Sequence, residues 1–424
     1  MEAIKAPKGT YDVLGSESWK WARVVNTARS VAEDFGFKEA ILPIFEHTEL
    51  FSRGIGDATD VVEKEMYTFT DRGGRSITLR PELTASMMRS YLENGLNHGP
   101  QPVKLWGWGP MFRYERPQKG RNRQFAQIDF EILGVSSPFA DIETIDSSME
   151  IYRRLGLSNL QVLINSVGCP KCRPNYRETL KKFFESRLGD LCETCRERFD
   201  RNPLRILDCK KTECGKLTDS APPVIDSLCD ECGEHFRTVE RGLAKLGADV
   251  RVDNKLVRGL DYYTKTAYEI LSGDLGAQNA VCGGGRYDNL AEAIGGPEVP
   301  GVGFASGIER IVITMEAQGV FMGGEPQTEV FVISTAGSEY AASLLVHELR
   351  AKGIASDMNF TARSIKAQMK YASQRGAKFV CIIGEDEMSS GSATVKNMSD
   401  GSQETTPRDL ATAKILSWKE ALAK

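Results

Sequence analysis

The run Phe112-Arg113-Tyr114-Glu115-Arg116-Pro117-Gln118-Lys119-Gly120-Arg121-Asn122-Arg123-Gln124-Phe125 constrains this chain more than any other feature. Strand-like sequence lies on both sides, and the loop between carries Arg116, Lys119, Arg121 and Arg123 with no acid among residues 116–123. Arg113 stands among aromatics, where a charge is costly unless it meets an anion. Guanidinium grips phosphate through paired hydrogen bonds, so the run predicts two strands that present cations to a phosphate-bearing ligand. A solvated charged hairpin is the plain alternative for such a loop taken alone.

Two further segments share this texture. Leu256-Val257-Arg258-Gly259-Leu260-Asp261-Tyr262-Tyr263 sets an arginine and two tyrosines between apolar residues. Gly301-Val302-Gly303-Phe304-Ala305-Ser306-Gly307-Ile308-Glu309-Arg310 is a glycine-rich strand that ends in a helix bearing Arg310. Other chemistries are missing from the sequence. The four histidines, His47, His98, His235 and His347, have no HExxH spacing. There is no GxSxG elbow and no GxxxxGK[ST] loop. Gly283-Gly284-Gly285-Arg286-Tyr287-Asp288 begins like a dinucleotide fingerprint but sets Asp288 where the third glycine belongs.

At 424 residues the chain is expected to hold two or three domains. Apolar residues recur at helical spacing from Trp19 to Phe35 and stop at Gly36. FKEAILPIFEHTELF, broken by Pro43, reads as a strand at an edge or interface. Strands are expected at Met66–Thr70, Ser76–Leu79, Val103–Trp108, Met111–Tyr114 and Phe125–Leu133, in the density of an antiparallel sheet. Between about residues 170 and 248 the texture changes to cysteine pairs and charged helices, as if a small, mainly helical domain were inserted. Strand-like sequence resumes at Val250–Val252 and Thr266–Leu271, and Gly301–Phe304 leads into a helix at Gly307–Gln318. The catalytic part is therefore set at 1–325 and closes with a linker at Gly323-Gly324-Glu325-Pro326. From 326 to 424 strands alternate with helices at Glu339–Ala351, Ser364–Arg375 and Asp409–Ala423, which predicts a separate α/β domain.

A formal charge of −4 argues against general coating of a polyanion but leaves room for local basic surfaces. MEAIKAPKGTYDVLG has no apolar signal core and no apolar stretch is long enough to span a bilayer, so a cytoplasmic address without a membrane partner is expected. Eight of the ten cysteines fall at Cys169, Cys172, Cys192, Cys195, Cys209, Cys214, Cys229 and Cys232. Close pairs in a cytosolic chain favour metal over disulfides, and these spacings suit tetrahedral structural zinc. Reduced cysteines in an ordinary helical insertion remain the other reading.

Together the arginine segments resemble the signature sequences of class II aminoacyl-tRNA synthetases. ILPIFEHTELFSRGIG is similar to the dimer-interface motif with its proline, here Pro43; FRYERPQKGRNRQF resembles the second motif and GVGFASGIER the third. KGTYDVL, LRPELTASMMR, RQFAQIDFEILG, LVRGLDYYTKTAYE and GGGRYDNL narrow the resemblance to the histidyl-tRNA synthetase family, and it extends over essentially the whole chain.

That resemblance implies an α+β catalytic domain with an antiparallel sheet, a small inserted domain and a carboxy-terminal α/β anticodon-binding domain, assembled as a homodimer. It implies ATP-dependent ligation of L-histidine to histidine tRNA through a histidyl-adenylate, with release of AMP and pyrophosphate and with Mg²⁺ accompanying the ATP. Carried over by motif, Arg113 would meet the α-phosphate, Arg310 the γ-phosphate end, and Glu115 would join the ATP site. Arg258 would be a second cation beside the α-phosphate. Glu82, Thr84 and Gln127 would hold the ammonium group, with Glu131, Tyr262, Tyr263 and Tyr287 around the imidazole. Arg116, Gln118, Lys119, Arg121 and Arg123 would approach the tRNA acceptor end. In the last domain Arg363, Lys366, Lys370, Arg375 and Lys378 form a basic stripe suited to the anticodon, or simply a solvated face. A catalytically inactive relative, such as the regulatory subunit of ATP phosphoribosyltransferase, would lack that last domain and typically the arginine at 258. A pure zinc or nucleic-acid scaffold would leave Arg113, Arg258 and Glu131 unexplained.

Overall fold

The computed structural model describes residues 3–56, 59, 61–275, 279–320, 323–324, 327–361 and 363–422. Two compact units divide at Met322 and Gly323. Glu325 and Pro326 of the expected linker, and Ala423 of the expected last helix, lie outside the described residues.

The first unit is built on an eight-stranded sheet. Its order is Lys38–Glu39, Val103–Phe112, Gln124–Leu133, Gly301–Gly307, Ala280–Arg286, Thr264–Ser272, Leu160–Ser166 and Val250–Val252. Every pairing between inner strands is antiparallel, whereas the two short edge strands add in parallel. Each edge strand is entered from a helix, Ser16–Asp34 or Asp230–Lys245, and parallel pairing needs such a crossover. Strand alternation divides the central strand Gln124–Leu133 between two environments. Ile128, Phe130 and Ile132 join a core beneath the helices Ser16–Asp34, Pro138–Leu155, Asp230–Lys245 and Ile308–Ala317. Leu133 joins a second core on the opposite face with Leu83, Met87, Tyr262, Tyr263 and Tyr287, so Gln127, Asp129 and Glu131 face that way too.

Some expected elements differ in detail. Val103–Trp108 and Met111–Tyr114 merge into one strand, Val103–Phe112, and Arg113 follows its end. FKEAILPIFEHTELF yields only Lys38–Glu39 and Phe45–His47 as strand; Thr48 begins a helix to Ile55 that buries Leu50, Phe51 and Ile55 on one face. Phe45–His47 pairs with Ser76–Leu79, which also pairs with Tyr67–Thr70, in a separate three-stranded sheet. The cysteine-rich segment forms the helices Arg173–Glu185, Glu193–Arg201, Leu204–Leu207 and Thr212–Thr218 around its own small core of Tyr176, Leu180, Phe184 and Ile206.

The second unit is a five-stranded sheet ordered Ser356–Met358, Val330–Ser334, Phe379–Ile383, Ser392–Asn397 and Gln403–Pro407. The first three strands are parallel and the last two antiparallel. Helix Ile365–Gln374 is anchored by buried Gln368, whose amide donates to Ser334 O at 2.7 Å and Arg363 O at 2.9 Å. Arg363, Lys366, Lys370, Arg375 and Lys378 are all exposed.

Candidate active site

A cleft of about 380 Å³ opens on the acid-bearing face of the large sheet. Its floor follows from strand register. Gln127 lies between Gly109 and Gly307, Asp129 between Gly107 and Ala305, and Glu131 between Leu105 and Gly303. Small residues beside the polar row leave open space above it. A Cβ on Gly303 would overlap the Glu131 carboxylate, and one on Gly283 would overlap the Arg258 guanidinium. The glycine-rich runs therefore serve close approach of side chains rather than a phosphate loop.

The acids behind the floor are held by short hydrogen bonds. Thr84 Oγ1 donates to Glu131 Oε1 at 2.6 Å, and the Tyr287 hydroxyl donates to Oε2. Burial raises Glu131 to about 8, although both hydroxyls and the neighbouring Glu82 also act on it. Glu82 accepts from Ala85 N–H at 2.8 Å and from the Tyr262 hydroxyl at 3.1 Å; burial raises its carboxyl too. The Tyr262 and Tyr263 rings pack at a 45° tilt with centroids 4.7 Å apart, and burial raises both phenols, keeping them neutral. Gln127 Oε1 and both oxygens of Asp129 are buried without a hydrogen-bond partner. Burial, with Glu131 and Glu82 nearby, pushes Asp129 well above the usual carboxylate range. Unsatisfied acceptors beside neutral phenols define a place for a small cationic or N–H-bearing ligand.

Arginines occupy the remainder of the wall. Arg113 Nε donates to Pro81 O at 2.9 Å and its guanidinium lies over Phe125. Arg258 Nη1 donates to Glu269 at 2.7 Å, not to Asp261, and its guanidinium lies 5.4 Å from the Tyr263 ring. Arg310 donates to Ala280 O at 2.5 Å and Gly120 O at 3.4 Å. Glu309 accepts from Ala126 N–H, and burial raises it to about 7. Such a wall suits a polyphosphate.

The structure thus brings Arg113, Glu115, Arg258 and Arg310 to one cleft with Glu82, Thr84, Gln127, Tyr262 and Tyr263. Glu131 and Tyr287 stand directly behind that lining. Arg116, Gln118, Lys119 and Arg121 are exposed on the loop above, where Arg121 pairs with Glu115 at 3.0 Å. Arg123 is half-buried: its guanidinium stacks 3.7 Å from the Tyr114 ring, and its N–H donates to Gly9 O. Arg286 of the GGGRYDNL run is away from the cleft, fully buried against Asp141. Asp129, Glu269, Glu309 and Arg205 had not been singled out. For Asp129 the signal was present, two residues before Glu131 and hence on the same strand face.

A largely antiparallel sheet backed by helices, with an acid-floored, arginine-walled cleft, defines the catalytic fold of a class II aminoacyl-tRNA synthetase. Residues 9–311 match the profile of the histidyl-tRNA synthetase family, and residues 329–418 that of the anticodon binding domain. The chain is 51% identical over 399 residues to the histidine–tRNA ligase of Desulforamulus reducens, covering 94% of this chain and 95% of that protein. It is 47% identical to the same enzyme of Acetivibrio thermocellus over 97% of this chain and 99% of that one. The crystal structure of apo S. aureus histidyl-tRNA synthetase matches with a TM-score of 0.82 at 37% identity, over 97% of this chain and all 100% of that chain. The chain belongs to the histidyl-tRNA synthetase family.

Proposed function

We propose that the cleft forms histidyl-adenylate with the residues assembled there and then passes histidine to tRNA. As a histidine–tRNA ligase the chain charges tRNA with histidine, by the adenylate route general to its family. The observation that carries the assignment of roles is a pair of buried, hydroxyl-held carboxylates: Glu82 lines the same cleft as Arg113 and Arg258, and Glu131 stands directly behind that lining. Glu131, Tyr263 and Tyr287 enclose the imidazole; Glu82, Thr84 and Gln127 accept from the ammonium group. The histidine carboxylate attacks the α-phosphorus, and Arg113 and Arg258 stabilise the charge that builds on its oxygens. Arg310 and Glu115 belong to the ATP site.

Mg²⁺ bound with ATP would supply positive charge to the pyrophosphate leaving group. Among the described residues only the cysteine quartets bring three or more metal-ligating side chains together. The Mg²⁺ would therefore be held mainly by phosphates and water, with Glu115, Glu269 and Glu309 among the cleft carboxylates at hand. Structural zinc belongs to the same reading, held by the insertion's cysteines and outside the chemistry.

The exposed loop at 116–121 approaches the tRNA acceptor end, and the basic stripe of the second unit approaches the anticodon. Ile41, Ile44, Phe45 and Phe69 are exposed around the three-stranded sheet, an apolar surface that supports pairing with a second copy. No described helix is long and apolar enough to cross a membrane. The site of action is the cytoplasm, where tRNA is charged. Glu131→Gln tests the imidazole pocket: histidine KM in ATP–pyrophosphate exchange should rise by at least about tenfold, and an unchanged KM would remove Glu131 from it.

A further inference from the structure

Eight cysteines take no part in this chemistry, and they gather into two quartets. One is Cys169, Cys172, Cys229 and Cys232; the other is Cys192, Cys195, Cys209 and Cys214. Within each quartet all four sulfurs lie within 4.8 Å of one another. Cys169 is 3.6 Å from Cys172 and 4.0 Å from Cys229, and Cys192 is 3.9 Å from Cys209. A tetrahedral zinc–thiolate centre has sulfur–sulfur edges of about 3.8 Å. All eight cysteines are free. Backbone amides also point at sulfur: Cys229 N–H donates to Cys172 Sγ at 3.1 Å and Cys192 N–H to Cys214 Sγ at 3.3 Å. Amide donors stabilise the excess negative charge of four thiolates around one divalent cation.

We propose that each quartet binds one zinc ion and that the two centres have different tasks, a proposal that rests on the zinc reading above and, for the second task, on the catalytic role of Arg258. The first centre closes the neck of the insertion. Cys169 and Cys172 follow strand Leu160–Ser166, while Cys229 and Cys232 open helix Asp230–Lys245, so one ion ties the entry of the segment to its exit. Arg173, next to Cys172, donates to the backbone carbonyls of Val167 and Tyr263 and anchors that neck to the tyrosine pair.

The second centre positions Arg258. Its ligands lie within or beside helices of nine, four and seven residues, too short to persist without tertiary support. Asn202 and Arg205 sit between those ligands. Asn202 Nδ2 donates to Asp261 at 3.2 Å, and Arg205 Nη1 donates to the Arg258 carbonyl at 2.9 Å. Val257 packs into the same small core as Cys192, Cys195 and Cys214. The insertion thereby holds the backbone on both sides of Arg258, and Arg205 is a positioning residue.

Full-length protein purified without chelator should carry two zinc ions per chain by mass spectrometry. Cys192→Ser with Cys195→Ser should leave one ion and speed amide exchange across residues 256–263 by at least about tenfold. Arg205→Ala, which leaves both quartets intact, should keep two ions yet show the same faster exchange. Its adenylation kcat should fall about tenfold with little change in either KM, as expected when only a transition-state contact is misplaced. Fewer than two zinc ions per chain overturns the paired sites. Two ions in the unmodified chain, with unchanged exchange over 256–263 in both variants, overturns the positioning role. Neither failure touches histidine-dependent pyrophosphate exchange by the unmodified chain, so the catalytic reading stands or falls separately.

Discussion

Thr84 and Glu131 are joined by a 2.6 Å hydrogen bond beneath the cleft, with Tyr287 on the other carboxylate oxygen. Burial carries Glu131 up to about 8, so near pH 7 the empty site retains a proton that an imidazole N–H would displace. Histidine binding at pH 7 should therefore release close to one proton from the protein. Calorimetry in buffers of different ionisation enthalpy measures it, and Glu131→Gln should abolish it. Buffer-independent binding heats in the unmodified chain would contradict the assignment.

The same shifts set a stability profile. Glu131 at about 8 and Glu309 at about 7 lie above the unfolded carboxyl value, so the native state binds more protons than the unfolded one in between. The stability these groups contribute is full below about pH 4.5 and is lost as pH rises through 7 and 8. The melting temperature of ligand-free Glu309→Gln should fall less between pH 5 and 7 than that of the unmodified chain. Identical slopes would mean Glu309 ionises normally.

Arg286 should matter for folding rather than for histidine. It donates to both Asp141 oxygens, to Val135 O at 2.8 Å and Ser137 O at 3.1 Å, and Asp141 also meets His235 at 3.1 Å. Burial opposes ionisation of Asp141, yet Arg286 and His235 hold its carboxyl below the usual range. Arg286→Ala should lower the unfolding free energy by roughly 3–5 kcal/mol, because it leaves the buried Asp141 carboxylate without its guanidinium and with His235 alone as partner. Denaturant titration reads the loss; exchange activity per folded molecule should stay near normal.

The basic loop should separate into two parts. Arg116→Ala with Lys119→Ala removes exposed cations and should slow aminoacylation while sparing pyrophosphate exchange. Arg123→Ala removes the stack on Tyr114 and should impair both steps. Equal loss of both activities in the Arg116 and Lys119 variant would assign the outer loop to ATP.

How much of this was legible depended on apolar contrast. Strands such as Ser76–Leu79 and Val250–Val252 and the helix Glu339–Ala351 stand in the sequence with their observed bounds. The hairpin Ser392–Asn397 with Gln403–Pro407 did not, because its second strand is polar and exposed at a sheet edge and shows no alternation. Helix Thr84–Glu93 was hidden by Pro81 just before it and by an N-terminus capped through Glu82 rather than a usual N-cap residue. Individual site residues were legible where a charge sat in apolar sequence, as at Arg113 and Arg258. Their partners were not: Glu269 reaches Arg258 from the strand Thr264–Ser272, and Arg205 from the insertion.

Arg258 is proposed to act on the α-phosphate during adenylation rather than merely to hold the fold. Its salt bridge is to Glu269, which is 29% exposed, so breaking it should cost far less stability than breaking the fully buried Arg286–Asp141 pair. The direct test is histidine-dependent ATP–pyrophosphate exchange by Arg258→Ala, measured beside its melting curve on one preparation. The exchange rate should fall by about 10²–10³ with the melting temperature little changed, and Arg258→Lys should recover only part of it. A variant that melts early but exchanges at the normal rate per folded molecule would contradict the account.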